Sequence, residues 1–190
     1  MKEEIIRKTI HSFGLSVPIF YYFTNRMVTL ILLCIFLLLF LLSNYYRIKY
    51  LQKIPLVGYF LSRITRKHER NGLGGDVYFT AGCLVVIFFV EKNVAIASIL
   101  MLVIGDMFAA INGQLFGKIK IYKNKTIVGT LSCFFSCFVI GYLILGTPAA
   151  FIGATVATIS ELQDIVNDNF AIPVFTGLAI HFLCFSEALL

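Results

Sequence analysis

Apolar residues run along this chain in long blocks separated by short polar joints, without the regular wet face of a soluble amphipathic helix. The blocks lie at about 5–23, 27–46, 76–91, 94–112, 127–146, 149–165 and 170–188. A helix crossing a bilayer needs roughly 20 apolar residues, or about 17 when short. The second block, MVTLILLCIFLLLFLLSNYY, meets that length outright. The first and sixth are short and interrupted by polar residues, so the count is seven, or six if one of them fails to cross. The pattern predicts an all-α fold, a polytopic membrane helix bundle of about seven short transmembrane helices, in one domain over 1–190. Between the second and third blocks, Leu51, Ile54, Val57, Leu61 and Ile64 recur at three- and four-residue spacing among Lys53, Arg63, Arg66 and Lys67. That segment reads as an amphipathic helix lying in the interface plane, either a plain connector or a gate for a lipid substrate.

Composition sharpens this picture. The chain is 59% hydrophobic and 14% charged, against about 45–50% and 25% for soluble domains. It cannot present a polar surface to water. Cys34, Cys83, Cys133, Cys137 and Cys184 all lie in apolar stretches without zinc-ligand spacing, and read as small packing side chains. No removable leader is expected, since the long apolar run starts near Met27 and lacks a small-residue cleavage pattern.

Charge orients the chain. With a cytoplasmic N-terminus, seven spans put 14 of the 16 lysines and arginines inside and leave only Arg26 and Lys92 outside. This asymmetry accounts for the net charge of +6 without nucleic acid as a partner. The basic face then meets either anionic membrane lipids or a nucleotide.

Five acids sit where apolar residues belong. Placing a carboxylate at the centre of a span costs about 2.5–3.5 kcal/mol. Asp76, Asp106, Glu161, Asp164 and Asp168, with His11, all fall toward the inner ends of their blocks, close to Lys118, Lys120, Lys123 and Lys125. Carboxylates beside lysines and glycines suit a Mg²⁺–polyphosphate site, with backbone N–H groups at the glycines approaching phosphate. A structural ion-pair cluster fits the same spacing. GQLFGKIK is not a Walker A loop: Gly113 and Gly117 are one residue too close, and neither Ser nor Thr follows Lys118. Arg7 and Lys8 fit topology determinants alone as well as a site, His11 fits a hydrogen-bonded packing histidine as well as a site residue, and His181, outside any motif, reads as structural.

Four stretches in order now carry a resemblance. GDMFAAINGQLFGK followed by KTIVGT is similar to the nucleotide-binding signature of the polyprenol kinase family, which includes dolichol kinase, phytol kinase and CTP-dependent diacylglycerol kinases. EEIIRKTIHSFG, HERNGLGGDVYFTAGC and ATVATISELQDIVNDNFAIP resemble further family segments, so the match runs nearly end to end. The resemblance implies phosphoryl transfer from CTP to the hydroxyl of a long-chain lipid alcohol, with Mg²⁺, at the cytoplasmic face of an integral membrane protein. Carried over residue by residue, it implies that Asp106, Glu161 and Asp168 meet the metal, with Asp106, His11 and Asp168 catalytic. It implies that Arg7, Lys8, Gly105, Gly113, Gly117, Lys118, Lys125, Thr126 and Gly129 line the nucleotide, and that Glu69, Asp76 and Asn169 complete the site. The glutamate usual in the KTxEGT element is Val128 here, so the chain must bind its nucleotide without it. A phosphatidate cytidylyltransferase shares part of the signature, though its C-terminal Lys/Asp/Gly-rich element is missing here. A small ion-coupled transporter would also bury carboxylates, but no inverted repeat is found.

Overall fold

The computed structural model of the chain describes residues 12–50, 72–123, 125–163 and 165–185. Eight α-helices are found among them: α1 (Ser16–Phe23), α2 (Arg26–Lys49), α3 (Gly75–Phe89), α4 (Lys92–Leu100), α5 (Asp106–Phe116), α6 (Ile127–Leu145), α7 (Thr147–Leu162) and α8 (Asp168–Ile180). A π-helical turn, Met101–Gly105, joins α4 to α5, so Lys92–Phe116 is one continuous helix of 25 residues. A second π turn, His181–Phe185, extends α8.

The helix ends follow from the sequence. Asn25 caps α2 by accepting the Val28 N–H at 2.9 Å, Thr126 caps α6 through Gly129 N–H at 3.2 Å, and Asn167 caps α8 through Asn169 N–H at 3.1 Å. The joint between α6 and α7 is the single residue Gly146, whose φ of +90° excludes most side chains, and Pro148 starts α7 in the first turn.

Three helices are long and apolar enough to cross a membrane: Arg26–Lys49, Lys92–Phe116 and Ile127–Leu145. Three further apolar helices, Phe13–Phe23, Gly75–Phe89 and Asp168–Cys184, are shorter. The sequence pattern anticipated about seven spans; length and composition assign three among the described residues. The surface explains why the bundle still belongs with lipid. α2 exposes Ile31, Ile35, Leu38 and Leu42, and α6 exposes Leu131, Phe135, Val139 and Leu143. Apolar faces this continuous are stable against hydrocarbon, not water.

The long central helix is the axis of the bundle. Ile99, Met101, Leu102 and Val103 are fully buried, packed with Val86 and Ile87 of α3, Cys133 and Cys137 of α6, and Ile172 and Ile180 of α8. Inside a bilayer, close backbone approach replaces the hydrophobic drive between helices. α7 supplies it with Ala149, Ala150, Gly153, Ala154 and Ala157 on one buried face, while Phe151 and Ile159 point outward.

One feature departs from an all-helical chain. The lysine-rich joint between α5 and α6 forms a short antiparallel hairpin, β1 (Lys120–Tyr122) with β2 (Lys125–Thr126), pairing Lys120 with Thr126 and Tyr122 with Lys125. Lys123 takes the left-handed backbone conformation at its turn, with φ of 47°. The amphipathic segment expected after Lys49 falls largely on residues 51–71, outside the described residues.

Candidate functional site

The two ends of the central helix differ. Lys92 and Asp106 are about 20 Å apart at 1.5 Å per residue. At the Lys92 end, Arg26 Nη2 donates to the Val90 carbonyl at 2.7 Å, capping α3. Lys92 Nζ donates to the Tyr22 and Thr24 carbonyls at 3.0 and 2.8 Å, capping α1, and lies over the Tyr21 ring. Both cations satisfy helix C-termini.

At the other end, four elements converge on Lys125. Its ammonium donates to the Glu161 carbonyl at 2.6 Å and to Glu161 Oε1 at 2.5 Å, and lies 3.6 Å from Asp168 Oδ2. Glu161 is only 4% exposed and closes α7, where the helix dipole disfavours a carboxylate; Lys125 offsets both penalties. Asp168 lies in the first turn of α8, where the dipole favours it. Burial alone would lower the Lys125 pKa, but the Asp168, Glu161 and Asp106 charges together hold it above the ordinary lysine value. The ammonium therefore stays charged at neutral pH.

Asp106 is 7% exposed and directly follows the π turn. Such turns occur often at functional sites because they rephase the helix that follows. Here the turn leaves Gly105 packed on Cys133 and Cys137, where a Cβ would come within 2.6 Å of the Cys137 sulfur. Cys137 in turn donates to the Met101 carbonyl at 3.5 Å.

The signature glycines lie where helices approach closely. Gly113 lies inside α5 and faces Gly129 of α6; a Cβ at Gly129 would stand 2.7 Å from the Ala109 carbonyl. Gly117 ends α5 against Thr126, with its N–H on the Gly113 carbonyl at 3.1 Å. The Gly129 N–H is taken by the Thr126 cap. These glycines bring α5 and α6 together and so fix Lys125 beside Asp106. Lys118, Lys120 and Lys123 remain exposed on the hairpin side. Val128 is half-buried in the first turn of α6.

Among the other expected residues, Asp76 begins α3 and is exposed, and Asn169 donates to the Gly75 carbonyl at 3.2 Å. Pro173 cannot donate to the Asn169 carbonyl, and α3 closes on that carbonyl at Gly82. Arg7, Lys8, His11, Glu69 and Asp164 lie outside the described residues. Among the described residues no group of three His, Cys, Asp or Glu side chains is placed to hold a metal ion. Two of the acids anticipated as metal ligands, Glu161 and Asp168, pair with the Lys125 ammonium, and Asp106 lies close enough to raise its pKa.

Sequence reading passed over three residues. Gln163 accepts the Ile165 and Val166 N–H groups at 2.7 and 2.9 Å and donates to the Val166 carbonyl at 2.9 Å, shaping the joint that turns Glu161 and Asp168 toward one cation. Asn44 and Arg47 hold the start of α3. A lone asparagine ending an apolar span was the available signal for Asn44.

Comparison with known proteins adds the family. The chain is 30% identical to an uncharacterized protein of Rickettsia prowazekii over 181 residues, 88% of each chain. It is 28% identical over 155 residues to CTP-dependent diacylglycerol kinase 1 of Eremothecium gossypii, covering 65% of this chain and 49% of that one. A probable chloroplastic phytol kinase of Triticum aestivum is 29% identical over 147 residues, again 65% and 49%. The chain has a family-level relationship to the CTP-dependent diacylglycerol, phytol and polyprenol kinase group. It spans about half the length of these two kinases. No family model matches it, and no solved structure does. Similarity to these kinases makes the Lys125 cluster the candidate active site.

Proposed function

We propose that the chain transfers the γ-phosphoryl group of CTP to the hydroxyl of a membrane lipid alcohol, giving a lipid phosphate and CDP. The observation that carries this reading is the meeting of Lys125 with Glu161, Asp168 and Asp106 at one end of an otherwise apolar bundle. The exposed lysines of the hairpin lie beside it. Phosphoryl transfer is mainly positioning plus neutralisation of charge. Lys118 and Lys125 would neutralise phosphate oxygens, with Arg7, Lys8 and His11 joining from the first apolar block. The alcohol oxygen bonds to the γ-phosphorus, the bond to the β-phosphate oxygen breaks, and the hydroxyl proton leaves to a basic group of the site.

Mg²⁺ fits this donor set, since it takes one or two carboxylates plus phosphate oxygens and water, not a complete protein cage. One or two of Asp106, Glu161 and Asp168 would hold it, and it would supply charge neutralisation on the phosphates. We place the N-terminus and the hairpin on the cytoplasmic side of about seven spans, where soluble nucleotide arrives and the alcohol headgroup lies.

The deciding assay follows the two labels of CTP. Purified protein given polyprenols or diacylglycerol should yield labelled lipid phosphate from γ-labelled CTP, with CDP released. Label reaching the lipid from the α-phosphate, with pyrophosphate as co-product, overturns this reading in favour of cytidylyl transfer. For the topology, a cysteine introduced at Lys123 should resist impermeant reagent in intact cells and react once the cytoplasmic face is opened.

A further inference from the structure

The hairpin between α5 and α6 presents a surface that the Lys125 cluster does not use. The helices on either side of it, Lys92–Phe116 and Ile127–Leu145, are both long and apolar enough to cross a membrane. The hairpin therefore stands at a water–lipid boundary. Phe116, Ile119, Ile121 and Tyr122 are all exposed there instead of packing on the bundle. Lys120 and Lys123 are interleaved with them and exposed as well. Along β1, Ile121 points to one face and Lys120 and Tyr122 to the other. The Lys123 ammonium lies 5.3 Å from the centre of the Tyr122 ring.

A pair of strands this short is marginal by itself in water, so it needs a surface to lie on. The Ile127 N–H, donating to the Ile119 carbonyl at 3.1 Å, ties it to α6 but leaves its isoleucines uncovered. Charge decides the occupant. A second copy of the chain meeting this face through the same hairpin would set lysine against lysine. An acidic soluble protein would answer the lysines, yet the isoleucines already border lipid. Anionic headgroups of the surrounding membrane answer both features. The headgroup layer is roughly 5–7 Å deep on each side. A strand lying in it turns Ile121 toward the acyl chains, while Lys120 on the other face reaches phosphate with its flexible stem. Tyr122, with an apolar ring and a polar tip, suits the same level. At the opposite end of the bundle, Arg26 and Lys92 close helices by donating to the Val90, Tyr22 and Thr24 carbonyls.

We propose that the β1–β2 hairpin docks on anionic phospholipid headgroups of the membrane that holds the bundle. Ile119 and Ile121 enter the acyl boundary, and Lys120 and Lys123 meet lipid phosphates. Because β2 is Lys125–Thr126, docking also fixes the depth of the candidate site, with the Lys125 ammonium at headgroup level. The docking does not depend on which reaction that site performs.

The test uses the full-length chain, which has no tryptophan, so Ile121→Trp introduces a single fluorescent reporter. The protein is placed in nanodiscs of phosphatidylcholine alone, or of phosphatidylcholine and phosphatidylglycerol in equal parts. In the anionic discs the emission should shift to the blue, and lipid brominated high in the acyl chain should quench it. Acrylamide in the water should quench it less there than in the neutral discs. Adding Lys120→Gln and Lys123→Gln to the same reporter chain should make the anionic discs behave like the neutral ones. Two lysines near a charged surface shift the ratio of docked to undocked hairpin by roughly thirtyfold. High salt should act in the same direction with both lysines in place. Equal acrylamide quenching in the two kinds of disc overturns the proposal. So does a difference between them that neither salt nor the lysine changes reduce. Glycerol phosphate added to neutral discs tests a soluble source of the same chemistry. A blue shift equal to that in anionic discs would assign the lysines to free phosphate and overturn docking on lipid; an unchanged spectrum supports it.

Discussion

Lys92 and Lys125 are both lysines that donate to a helix C-terminus, at opposite ends of one bundle, and they have different surroundings. Lys92 finds the Tyr22 and Thr24 carbonyls and the face of Tyr21. Its partners are neutral, and the contact closes a helix. Lys125 finds a carbonyl and two carboxylates, with a third carboxylate close enough to hold its pKa up. A single capping lysine needs no such company. Three acids gathered at one helix-packing level need compensating positive charge, which an ammonium, a metal ion or both can supply. The comparison separates a cation used for architecture from one standing in a site built for charge.

The sharpest way to break this comparison is Asp106→Asn. The amide is nearly isosteric and easier to bury than the charge, so folded protein should be recovered. Turnover per folded molecule should fall at least about a hundredfold, the scale of losing one strong electrostatic stabiliser. Near-normal turnover would reduce Asp106 to a packing role and leave the two ends alike.

Lys125→Met should come next in effect. It leaves Glu161 buried without its cation, which destabilises by about 2–3 kcal/mol, below the range for fully buried pairs because Lys125 is partly open. Pairing it with Glu161→Gln should restore most of the thermal stability in detergent but none of the transfer activity. Recovery of both would mean that Lys125 serves structure alone, as Lys92 does.

The same ion pairs predict a pH profile. A folded pKa above the usual 10.5 means that the stabilisation is complete below 10.5 and is lost as pH rises through the higher folded value. Wild-type and Lys125→Met melting temperatures should therefore differ by a constant amount from pH 7 to 9. They should converge only in strongly alkaline buffer. Convergence near pH 8 would show that Lys125 does not feel its three acids.

Lys92→Met should have the smallest effect, about 1 kcal/mol of stability from one lost helix cap. Transfer per folded molecule should be unchanged. A large loss of turnover would move chemistry to the end where none is placed.

Much of the fold was legible because helices are local objects. The apolar blocks at 27–46 and 127–146 reappear as Arg26–Lys49 and Ile127–Leu145, since length and hydropathy act within one segment. The gathering of Asp106, Glu161 and Asp168 at one end followed from counting positions along successive antiparallel blocks. The hairpin was not legible, because lysines with interleaved isoleucines fit a loop as well as a strand. The packing role of Gly113 and Gly129 was hidden too, for a glycine in a motif looks the same whether it admits a phosphate or another helix.

By itself, then, the sequence determined which segments are apolar and helical, which end carries the charge and which kinase signature the chain resembles. Only the tertiary structure decided which charges meet. Lys125 and Glu161 are 36 residues apart, Asn44 and Asp76 are 32, and Asn169 and Gly75 are 94. A helix closes its hydrogen bonds four residues away, so its existence is written locally. The partner a polar side chain finds depends on how neighbouring helices rotate and how closely small residues let them approach. Those are properties of the packed bundle.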